Sequence, residues 1–328
     1  MTAAPLGVHA HAEGNETTAS DECAHAEGYH TTASNLCAHA EGASTSASGL
    51  ASHAEGKATT ASGDCSHAEG SNTTASGDNA HAEGDAETSA SGSASHAEGR
   101  KTNASGVASH AEGWETTASD NCTHAEGYRT SASGAFAHAE GLNTSASGAA
   151  SHAEGSNTSA SGVASHAQGI AARATRKAQV AQSGDLINDA GDAQSSVMTL
   201  MAYTSDATVC TMTVDGRTCV YSGTDTTVYT MAPGTATMFE LLIAAHNHTA
   251  DAAAGWKIKG LIARPQDPGD VRLVGDLNVD HWRDATAATW SVAVTADTTN
   301  QCLKVAVTGQ ESKPIGWIAR LTAAELAF

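Results

Sequence analysis

The sequence predicts an all-β protein in which a parallel β-roll, or β-solenoid, precedes an antiparallel β-sandwich. Three observations support this prediction. The first half repeats a fourteen-residue motif that opens with His-Ala-Glu-Gly, or once with His-Ala-Gln-Gly. Gly, Asp or Asn recurs about every seventh position of this repeat. Beyond residue 196, runs rich in β-branched and aromatic residues alternate with turn residues, a pattern typical of antiparallel strands.

The repeat places twelve histidines in one column. Successive histidines are 14 residues apart, except between His81 and His96, where the step is 15. A short period sustained over half of a chain is typical of solenoids, whose repeats bury their apolar side chains only against neighbouring repeats. The extra residue falls in Asp85-Ala86-Glu87, which we predict to be a longer loop that leaves the stack intact.

Each repeat consists of two seven-residue halves of one design, which predicts two similar short strands per coil. One half has the pattern small-His-Ala-Glu-Gly, and the other has Thr-(Thr/Ser/Asn)-Ala-Ser-(Gly/Asp/Asn). Side chains alternate between the two faces of a strand. We therefore expect Ala, with the small residue or Thr before it, to fill a thin interior, and His and Glu, or Thr and Ser, to point outward.

The fifth position of each half is predicted to turn the corner with a positive φ. It is Gly in every His-bearing half and Gly, Asp or Asn in the other half, as at Gly49, Asp21 and Asn35. These residue types adopt a left-handed conformation at low cost.

Charge and cysteine content exclude several function classes. The net charge is −20, and residues 1–170 contribute −16 of it, from 20 acidic and 4 basic residues, which disfavours nucleic acid as a partner. No run of 18 apolar residues suggests a membrane span, and Met1–Val8 does not resemble a signal peptide. Seven cysteines without a CxxC motif predict reduced thiols, although Cys23 and Cys37 fall on adjacent coils within reach of a disulfide.

The histidine column has two interpretations, a metal-binding array and a structural array, and we favour the structural one. Protonated imidazoles about 4.8 Å apart would repel by roughly 3 kcal/mol per neighbour. The histidines are therefore neutral, or the glutamate row on the same face compensates their charge. No metal and no cofactor is predicted.

Two segments carry a resemblance to a known family. Ser52-His53-Ala54-Glu55-Gly56 and Thr59-Thr60-Ala61-Ser62-Gly63 resemble the head repeats of trimeric autotransporter adhesins of the YadA type. The resemblance implies a left-handed parallel β-roll, three of which pack about a common axis as a homotrimer. It also implies that the residues flanking Ala in one half face that axis. The family usually has aliphatic residues there, whereas this chain has His and Glu, which suggests a hydrogen-bonded ladder with water or ions.

The predicted trimer-interface ladder contains the histidine of each coil and the acid or amide two residues later. Its members are His11, Glu13, His25, Glu27, His39, Glu41, His53, Glu55, His67, Glu69, His81, Glu83, His96, Glu98, His110, Glu112, His124, Glu126, His138, Glu140, His152, Glu154, His166 and Gln168. In the alternative arrangement, His and Glu face solvent and the Thr/Ser row lies at the interface.

The predicted organisation is a repeat shaft over residues 1–169, a connector over 170–195 and a C-terminal sandwich over 196–328. Strands are predicted at Val197–Thr204, Thr208–Val214, Thr218–Ser222, Thr227–Ala232, Met238–Ala245, Trp256–Ala263, Trp290–Val294, Leu303–Val307 and Ile315–Leu321. Trp256, Trp290 and Trp317 are predicted core residues. Arg173, Arg176 and Lys177 form a local basic cluster, which we interpret as a cap on the acidic stack.

The C-terminal region resembles a β-rich terminal domain of phage tail-fibre proteins, through Gly-Asp-Ala-Gln at 191–194, the segment Trp290–Asn300 and Ile315–Arg320. The resemblance implies a structural fibre or spike of the phage tail, made in the host cytoplasm and carried on the virion. Its partners would be a tail or baseplate protein and a host-surface glycan or protein receptor, bound through the C-terminal domain. A polysaccharide-degrading tailspike is the alternative.

Other site candidates are weak. His246, His248 and Asp251 form an H-x-H pattern with a nearby carboxylate, which also fits an exposed loop. No nucleophile-elbow, phosphate-loop or dinucleotide motif is present, so we expect that the chain is not an enzyme.

Overall fold

The computed structural model describes residues 4–5, 7–216, 228–247, 249, 251–266 and 269–327. It confirms the predicted fold class: a parallel β-solenoid of about twelve turns precedes an antiparallel β-rich region. The helix in the described residues is the single 3-10 turn Ala285–Ala287, and no helix there is long and apolar enough to cross a membrane. The chain divides into two compact units, 1–156 and 157–328. The finer domain boundaries stay a prediction.

The two halves of a coil form strands of different lengths. The His strand has five residues and ends one residue after Gly, whereas the Thr strand has two residues and ends at Ala. The His strands are β2 (His11–Asn15), β4 (His25–Tyr29), β6 (His39–Ala43), β8 (His53–Lys57), β10 (His67–Ser71), β12 (His81–Asp85), β14 (His96–Arg100), β16 (His110–Trp114), β18 (His124–Tyr128), β20 (His138–Leu142), β22 (His152–Ser156) and β24 (His166–Ile170), and β26 (Val180–Ser183) continues their phase. The two-residue strands are β1 (Ala4–Pro5), β3 (Thr18–Ala19), β5 (Thr32–Ala33), β7 (Ser46–Ala47), β9 (Thr60–Ala61), β11 (Thr74–Ala75), β13 (Ser89–Ala90), β15 (Asn103–Ala104), β17 (Thr117–Ala118), β19 (Ser131–Ala132), β21 (Ser145–Ala146), β23 (Ser159–Ala160) and β25 (Arg173–Ala174).

Equivalent strands of successive coils pair in parallel and in register, so that like residues stand above one another. His67 pairs with His81, and Glu69 pairs with Glu83. The longer coil keeps this register, because His81 still pairs with His96. Its extra residue lies in the loop, where Ala86 and Glu87 adopt φ values of 56° and 73°. The predicted tolerance of the stack to this insertion is confirmed.

In the first unit, the interior of the solenoid contains only small side chains among the described residues. Ala54 and Ala61 are fully buried, and so is Thr59, whereas Ser52 is 1% exposed. The Ser52 hydroxyl donates a hydrogen bond to the Gly49 carbonyl oxygen, at 2.8 Å. This arrangement confirms the predicted thin interior, in which no side chain larger than Thr is needed to fill the coil.

The corner prediction holds for one half of the repeat and is wrong for the other. Gly56, in a His half, has φ +105°, and a Cβ there would lie 2.2 Å from the carbonyl oxygen of Gly70. Gly49, in a Thr half, does not have a positive φ. A Cβ on it would nevertheless lie 1.9 Å from the Gly63 carbonyl oxygen. Close approach of the next coil, rather than a left-handed conformation, therefore favours Gly at this second corner.

A left-handed residue does occur in both halves, two positions after the corner, and it is not limited to Gly, Asn or Asp. Cys37, Ala51 and Ala58 have φ values of 56°, 50° and 55°. The backbone N–H of Ala51 donates to the Leu36 carbonyl on the preceding coil at 2.9 Å, and that of Ala58 donates to Ala43 at 2.8 Å. These hydrogen bonds between coils offset the cost of about 1–2 kcal/mol that the conformation carries for an L-residue.

The cysteines follow the prediction of reduced thiols only in part. Cys23, Cys37, Cys65 and Cys122 are exposed and free on the solenoid. Cys210 is disulfide-bonded, contrary to the prediction. The absence of a CxxC motif did not predict this disulfide, because cysteines that lie further apart in sequence can also pair.

The second unit continues into long antiparallel strands. Their bounds are β27 (Ala193–Thr204), β28 (Val209–Thr211), β29 (Tyr229–Thr230), β30 (Thr235–Asn247), β31 (Ala252–Arg264), β32 (Arg272–Arg283), β33 (Ser291–Asp297), β34 (Cys302–Thr308) and β35 (Ile315–Ala327). One sheet has the order β26-β27-β35-β30-β31-β32, and β26 is the strand of the last coil. In the second sheet, β34 pairs with β28, β29 and β33.

The two sheets share a core that is rich in tryptophan. Trp256, Trp290 and Trp317 are 4%, 1% and 3% exposed, which confirms their predicted core role. Their ring centroids lie 5.6 Å apart for Trp256 and Trp317, and 6.0 Å apart for Trp290 and Trp317. The indole N–H of Trp317 donates to the Thr204 hydroxyl at 2.9 Å, so the buried polar atom has a partner.

One strand was not predicted. β32 is an edge strand with mostly exposed or half-buried residues, and its charges and glycine interrupt the apolar pattern on which the strand prediction relied. The predicted strand Thr218–Ser222 lies outside the described residues.

Candidate functional site

The histidines of the first unit form a continuous column of stacked imidazole rings. The ring centroids of His67 and His81 lie 4.8 Å apart with an interplanar angle of 3°. His25 and His39 are stacked at 4.6 Å, whereas the terminal pair His11 and His25 is tilted by 39°. The spacing equals the separation of paired strands, so the in-register backbone imposes the stack.

In the first unit, each imidazole of the column has a glutamate two residues later on the same strand. The distance from Nε2 of His39 to Oε2 of Glu41 is 3.5 Å, and the equivalent distance for His124 and Glu126 is 3.9 Å. These distances are longer than a normal N–H···O hydrogen bond. The Nε2 atom of His53 is buried and has no hydrogen-bond partner among the described residues. The column therefore consists of close but unsatisfied donor–acceptor pairs.

The electrostatics of the column favour neutral imidazoles. Burial lowers the pKa of His25, His53 and His138 below the ordinary value of 6.5, and neighbouring histidines lower it further. The glutamates oppose this effect because they stabilise the protonated form. For these histidines the burial effect is greater than the compensation by the glutamate row.

The structure therefore brings the predicted ladder residues of the first unit together on one outward side of the solenoid. Their side chains are part-exposed in the single chain, at 34% for His53 and 39% for Glu55. In the second unit, His166 and Gln168 occupy the same repeat positions. His166 pairs with Val180, and Gln168 pairs with Gln182. Whether this side or the Thr/Ser side, with Thr60 and Ser62, faces a symmetry axis stays a prediction.

A buried ionic network in the second unit was not recognised in the sequence. Arg176 lies after the two-residue strand β25, and its guanidinium carbon is 4.2 Å from the Tyr229 ring centroid. Arg176 Nη1 lies 3.6 Å from Oε1 of Glu325 on β35, and both side chains are largely buried. Arg176 Nη2 also donates to the Thr230 carbonyl oxygen at 2.6 Å. We call this group of Arg176, Tyr229, Thr230 and Glu325 the clamp. Arg176 is therefore part of a buried ion pair, which corrects the interpretation of the basic cluster as only a cap on the acidic stack.

The clamp lines a cleft of about 370 Å³ together with polar residues of the connector. Gln194 accepts a hydrogen bond from the Arg173 N–H at 2.8 Å and donates to Glu325 Oε2 at 3.2 Å. Burial raises the pKa of the Tyr229 hydroxyl well above its ordinary value, and the nearby Glu325 raises it further. These contacts hold β35 against the last coils, which is a structural role.

The outer face of the long sheet carries exposed apolar side chains at the end remote from β26. We call this surface the distal face and define it as Met201, Tyr203, His246, Trp282 and Ile318. Tyr203 is 58% exposed and Trp282 is 62% exposed. Rings that are this exposed on a rigid sheet can stack on a flat ligand.

Two glycines leave open space between the side chains of the distal face. Gly316 pairs with Tyr203 on β27 and with His246 on β30, and a Cβ on Gly316 would meet nothing within 4 Å. Gly255 pairs with Trp282. A shallow groove lies over Gly255, between Trp282 on one side and Ile318 and Arg320 on the other.

The weak metal candidate of the C-terminal unit is only partly described. Nε2 of His246 lies 3.8 Å from Oδ1 of Asp251, and both side chains are well exposed. His248 lies outside the described residues. The pair Asp280-His281 lies on the exposed edge strand β32.

Comparisons with solved structures found a likeness to a phage tailspike protein. No protein-family model matches the chain, and no curated protein matches it. The chain is similar to the tailspike protein of Acinetobacter baumannii phage AM24, with a TM-score of 0.27 and 9% sequence identity. The match covers 99% of this chain and 57% of the tailspike, so the chain spans little more than half of that protein's length.

This likeness corrects one expectation from the sequence. The chain was expected not to be an enzyme, because no catalytic motif was recognised. The matched protein is a tailspike, the class for which polysaccharide degradation was the alternative function. Catalytic carboxylates on a solenoid need no local sequence motif, so the exclusion of enzymatic activity was wrong.

Proposed function

We propose that this chain is a structural component of a phage tail, a fibre or spike, that assembles as a homotrimer and attaches the virion to the host surface. The shaft would be a left-handed roll with the His–Glu ladder facing the three-fold axis. The C-terminal unit would bind the host receptor, and a tail or baseplate protein would hold the assembly on the virion. The chain would be made in the host cytoplasm and carried to the next host on the particle.

The observation that carries the trimer is the uniform His–Glu side of a solenoid with an alanine interior. A coil whose core is Ala, Ser and Thr buries little apolar area, so a single solenoid gains little stability from its own interior. The ladder side repeats without a register shift from coil to coil, and the Nε2 atoms of His53, His67 and His81 have no hydrogen-bond partner among the described residues. A regular side with unsatisfied polar atoms fits association with identical copies.

The mass in solution tests the trimer directly. We expect sedimentation equilibrium to give three times the chain mass of 32.9 kDa. A stable single chain would contradict the proposal.

A pair of matched substitutions tests which side faces the axis. Glu83→Lys would place three cations together in an inward ladder and dissociate the trimer, whereas Ser76→Lys on the exposed opposite side would leave it intact. The reverse result would support the alternative arrangement, in which the Thr/Ser row lies at the interface. Dissociation is measured by sedimentation at equal protein concentration.

We place receptor binding on the distal face and infer a glycan receptor, since exposed aromatic rings beside an open groove suit the apolar faces of sugars. Three copies would add avidity, so a weak site per chain is sufficient. Trp282→Ala is expected to reduce binding to host cells at least tenfold. Trp114→Ala is the control, because it removes another exposed indole, on the solenoid. The Trp114 side chain is 45% exposed, and its removal is expected to have no effect on binding. Equal binding by both variants and the wild type would rule out this site.

Polysaccharide cleavage is the second candidate function, and the paired carboxylates of adjacent coils favour it. Glu69 and Glu83 occupy paired positions on strands about 4.8 Å apart, near the carboxylate separation of retaining glycosidases. Incubation with host capsule or lipopolysaccharide would release reducing ends. Glu83→Gln should abolish that release if the pair is catalytic, whereas Trp282→Ala should only weaken substrate binding.

A further inference from the structure

The His–Glu ladder repeats a ligand set that suits a transition metal. Three donor atoms, Nε2 of one histidine, a carboxylate oxygen of the glutamate beside it and a nitrogen of the next histidine, come together between successive coils. In the triplet His81, Glu83 and His96, all three donor atoms lie within 4.8 Å of one another. Equivalent triplets occur at His39, Glu41 and His53, and at His110, Glu112 and His124.

The His–Glu pair of a triplet has nearly the spacing of two ligands on one ion. In tetrahedral zinc sites, with Zn–N and Zn–O bonds near 2.0–2.1 Å, ligand atoms are about 3.4 Å apart. The His81 Nε2 to Glu83 Oε2 distance of 3.6 Å is nearly that value. The Nε2 atoms of His81 and His96 are buried and have no hydrogen-bond partner among the described residues. The two rings are stacked with centroids 4.8 Å apart, so one ring must turn toward the other for both to bind a single ion.

We propose that the ladder binds several divalent transition-metal ions per chain, of the Zn²⁺ or Ni²⁺ class, with one ion between two coils. Two imidazoles and one carboxylate match the preference of these metals, whereas Ca²⁺ and Mg²⁺ take mainly oxygen ligands. Each Nε2 can serve only one ion, so the triplets that share no residue set the minimum capacity. At least three such triplets exist among the described residues, those that begin at His39, His81 and His110.

The charge of the solenoid also favours a bound cation, because the ion would neutralise part of a row of carboxylates in a strongly acidic segment. All ligands come from one chain, so the inference does not depend on the proposed trimer or on receptor binding.

The test is equilibrium dialysis of the tag-free full-length chain against micromolar ZnCl₂ at pH 7.5. The exposed thiols of Cys23, Cys37, Cys65 and Cys122 are alkylated beforehand, because thiolates also bind zinc. We expect at least three zinc ions per chain, no comparable uptake of Ca²⁺ or Mg²⁺, and release of the zinc at pH 5.5. Uptake below one ion per chain would overturn the proposal.

Variants assign the ions to the ladder. His81→Gln combined with His96→Gln is expected to lower the zinc capacity by at least one ion, and Glu83→Gln to weaken that site at least tenfold. His30→Gln is the matched control, because His30 lies off the column and pairs with Glu16 at 2.9 Å. Equal losses in the control and the double variant would refute the ladder site. X-ray absorption of the zinc-loaded wild type must show imidazole nitrogen in the first coordination sphere, so the proposal remains testable even if the double variant does not fold.

Discussion

The imidazoles of His39 and His53 are stacked 4.6 Å apart, and the neighbouring His39 adds to the effect of burial in lowering the pKa of His53. The stacked arrangement recurs along the column, for example between His81 and His96. The measurable consequence of the lowered pKa is a dependence of stability on pH.

We predict that stability falls as the pH drops below about 6.5 in the presence of a metal chelator. The pKa values of His25, His53 and His138 are lowered in the folded chain from 6.5, so the unfolded chain binds more protons in this range. The stabilising contribution is complete above pH 6.5 and is lost as the pH falls through the lowered values. Thermal unfolding midpoints between pH 8 and 5 measure it, and a flat profile would count against a buried neutral column.

The alanine interior predicts an asymmetry between two leucine substitutions. Ala111→Leu adds volume to a site with no exposed surface and is expected to destabilise by about 1–3 kcal/mol or prevent folding. Ala149→Leu is the control, because Leu36 and Leu50 occupy the same exposed position in other coils. Denaturant unfolding followed by circular dichroism compares the two. Equal stability of both variants would show that the interior is not close-packed.

Opposite effects are predicted for two backbone substitutions. Gly113 has φ +108°, and a Cβ would lie 2.2 Å from the Gly127 carbonyl oxygen, so Gly113→Ala is expected to cost about 1–3 kcal/mol. Ala108 has φ 52°, so Ala108→Gly removes left-handed strain and is expected to stabilise by roughly 0.5 kcal/mol after the entropy cost of glycine. The melting temperatures of both variants test this, and we expect Ala108→Gly to melt above the wild type and Gly113→Ala to melt below it. Destabilisation by Ala108→Gly would mean that the left-handed corner carries little strain.

The buried ion pair of Arg176 and Glu325 predicts that substitutions at these two positions have strongly coupled effects on stability. Arg176→Met or Glu325→Leu alone leaves a charge buried without its counterion and is expected to destabilise the C-terminal unit by about 3–5 kcal/mol. The double variant should recover much of this loss, because two apolar chains replace the pair. Tryptophan fluorescence during denaturation follows the unit, which contains Trp256, Trp290 and Trp317. Additive losses would show that the two side chains act independently.

Periodicity alone was sufficient to predict the solenoid. The in-register column from His67 to His81 follows from a period that does not change, and the buried face follows from the alternation of Ala with His or Thr. The left-handed residue of the Thr half was assigned to the wrong position, because at Ala51 a hydrogen bond to the preceding coil makes a positive φ acceptable for a residue other than Gly, Asn or Asp. Such compensation depends on a neighbouring coil and has no local sequence pattern.

The site was less predictable than the fold. The rows of His and Glu were visible in the sequence, but the 3.6 Å distance between His81 Nε2 and Glu83 Oε2, and the burial of the unsatisfied His81 Nε2, depend on rotamers. The clamp was hidden for a different reason, since Arg176 and Glu325 are separated by nearly half of the chain. An edge strand such as β32 was missed because its exposed residues need no apolar alternation.

The in-register pairing of identical coils has a consequence for how such a gene changes. In-frame recombination between two neighbouring copies would delete or duplicate one coil, and the flanking coils would meet the same backbone as before. The extra residue at 85–87 indicates that a coil also accepts a small insertion without disturbing its neighbours. Length and surface chemistry can therefore diverge between lineages while the architecture is inherited unchanged.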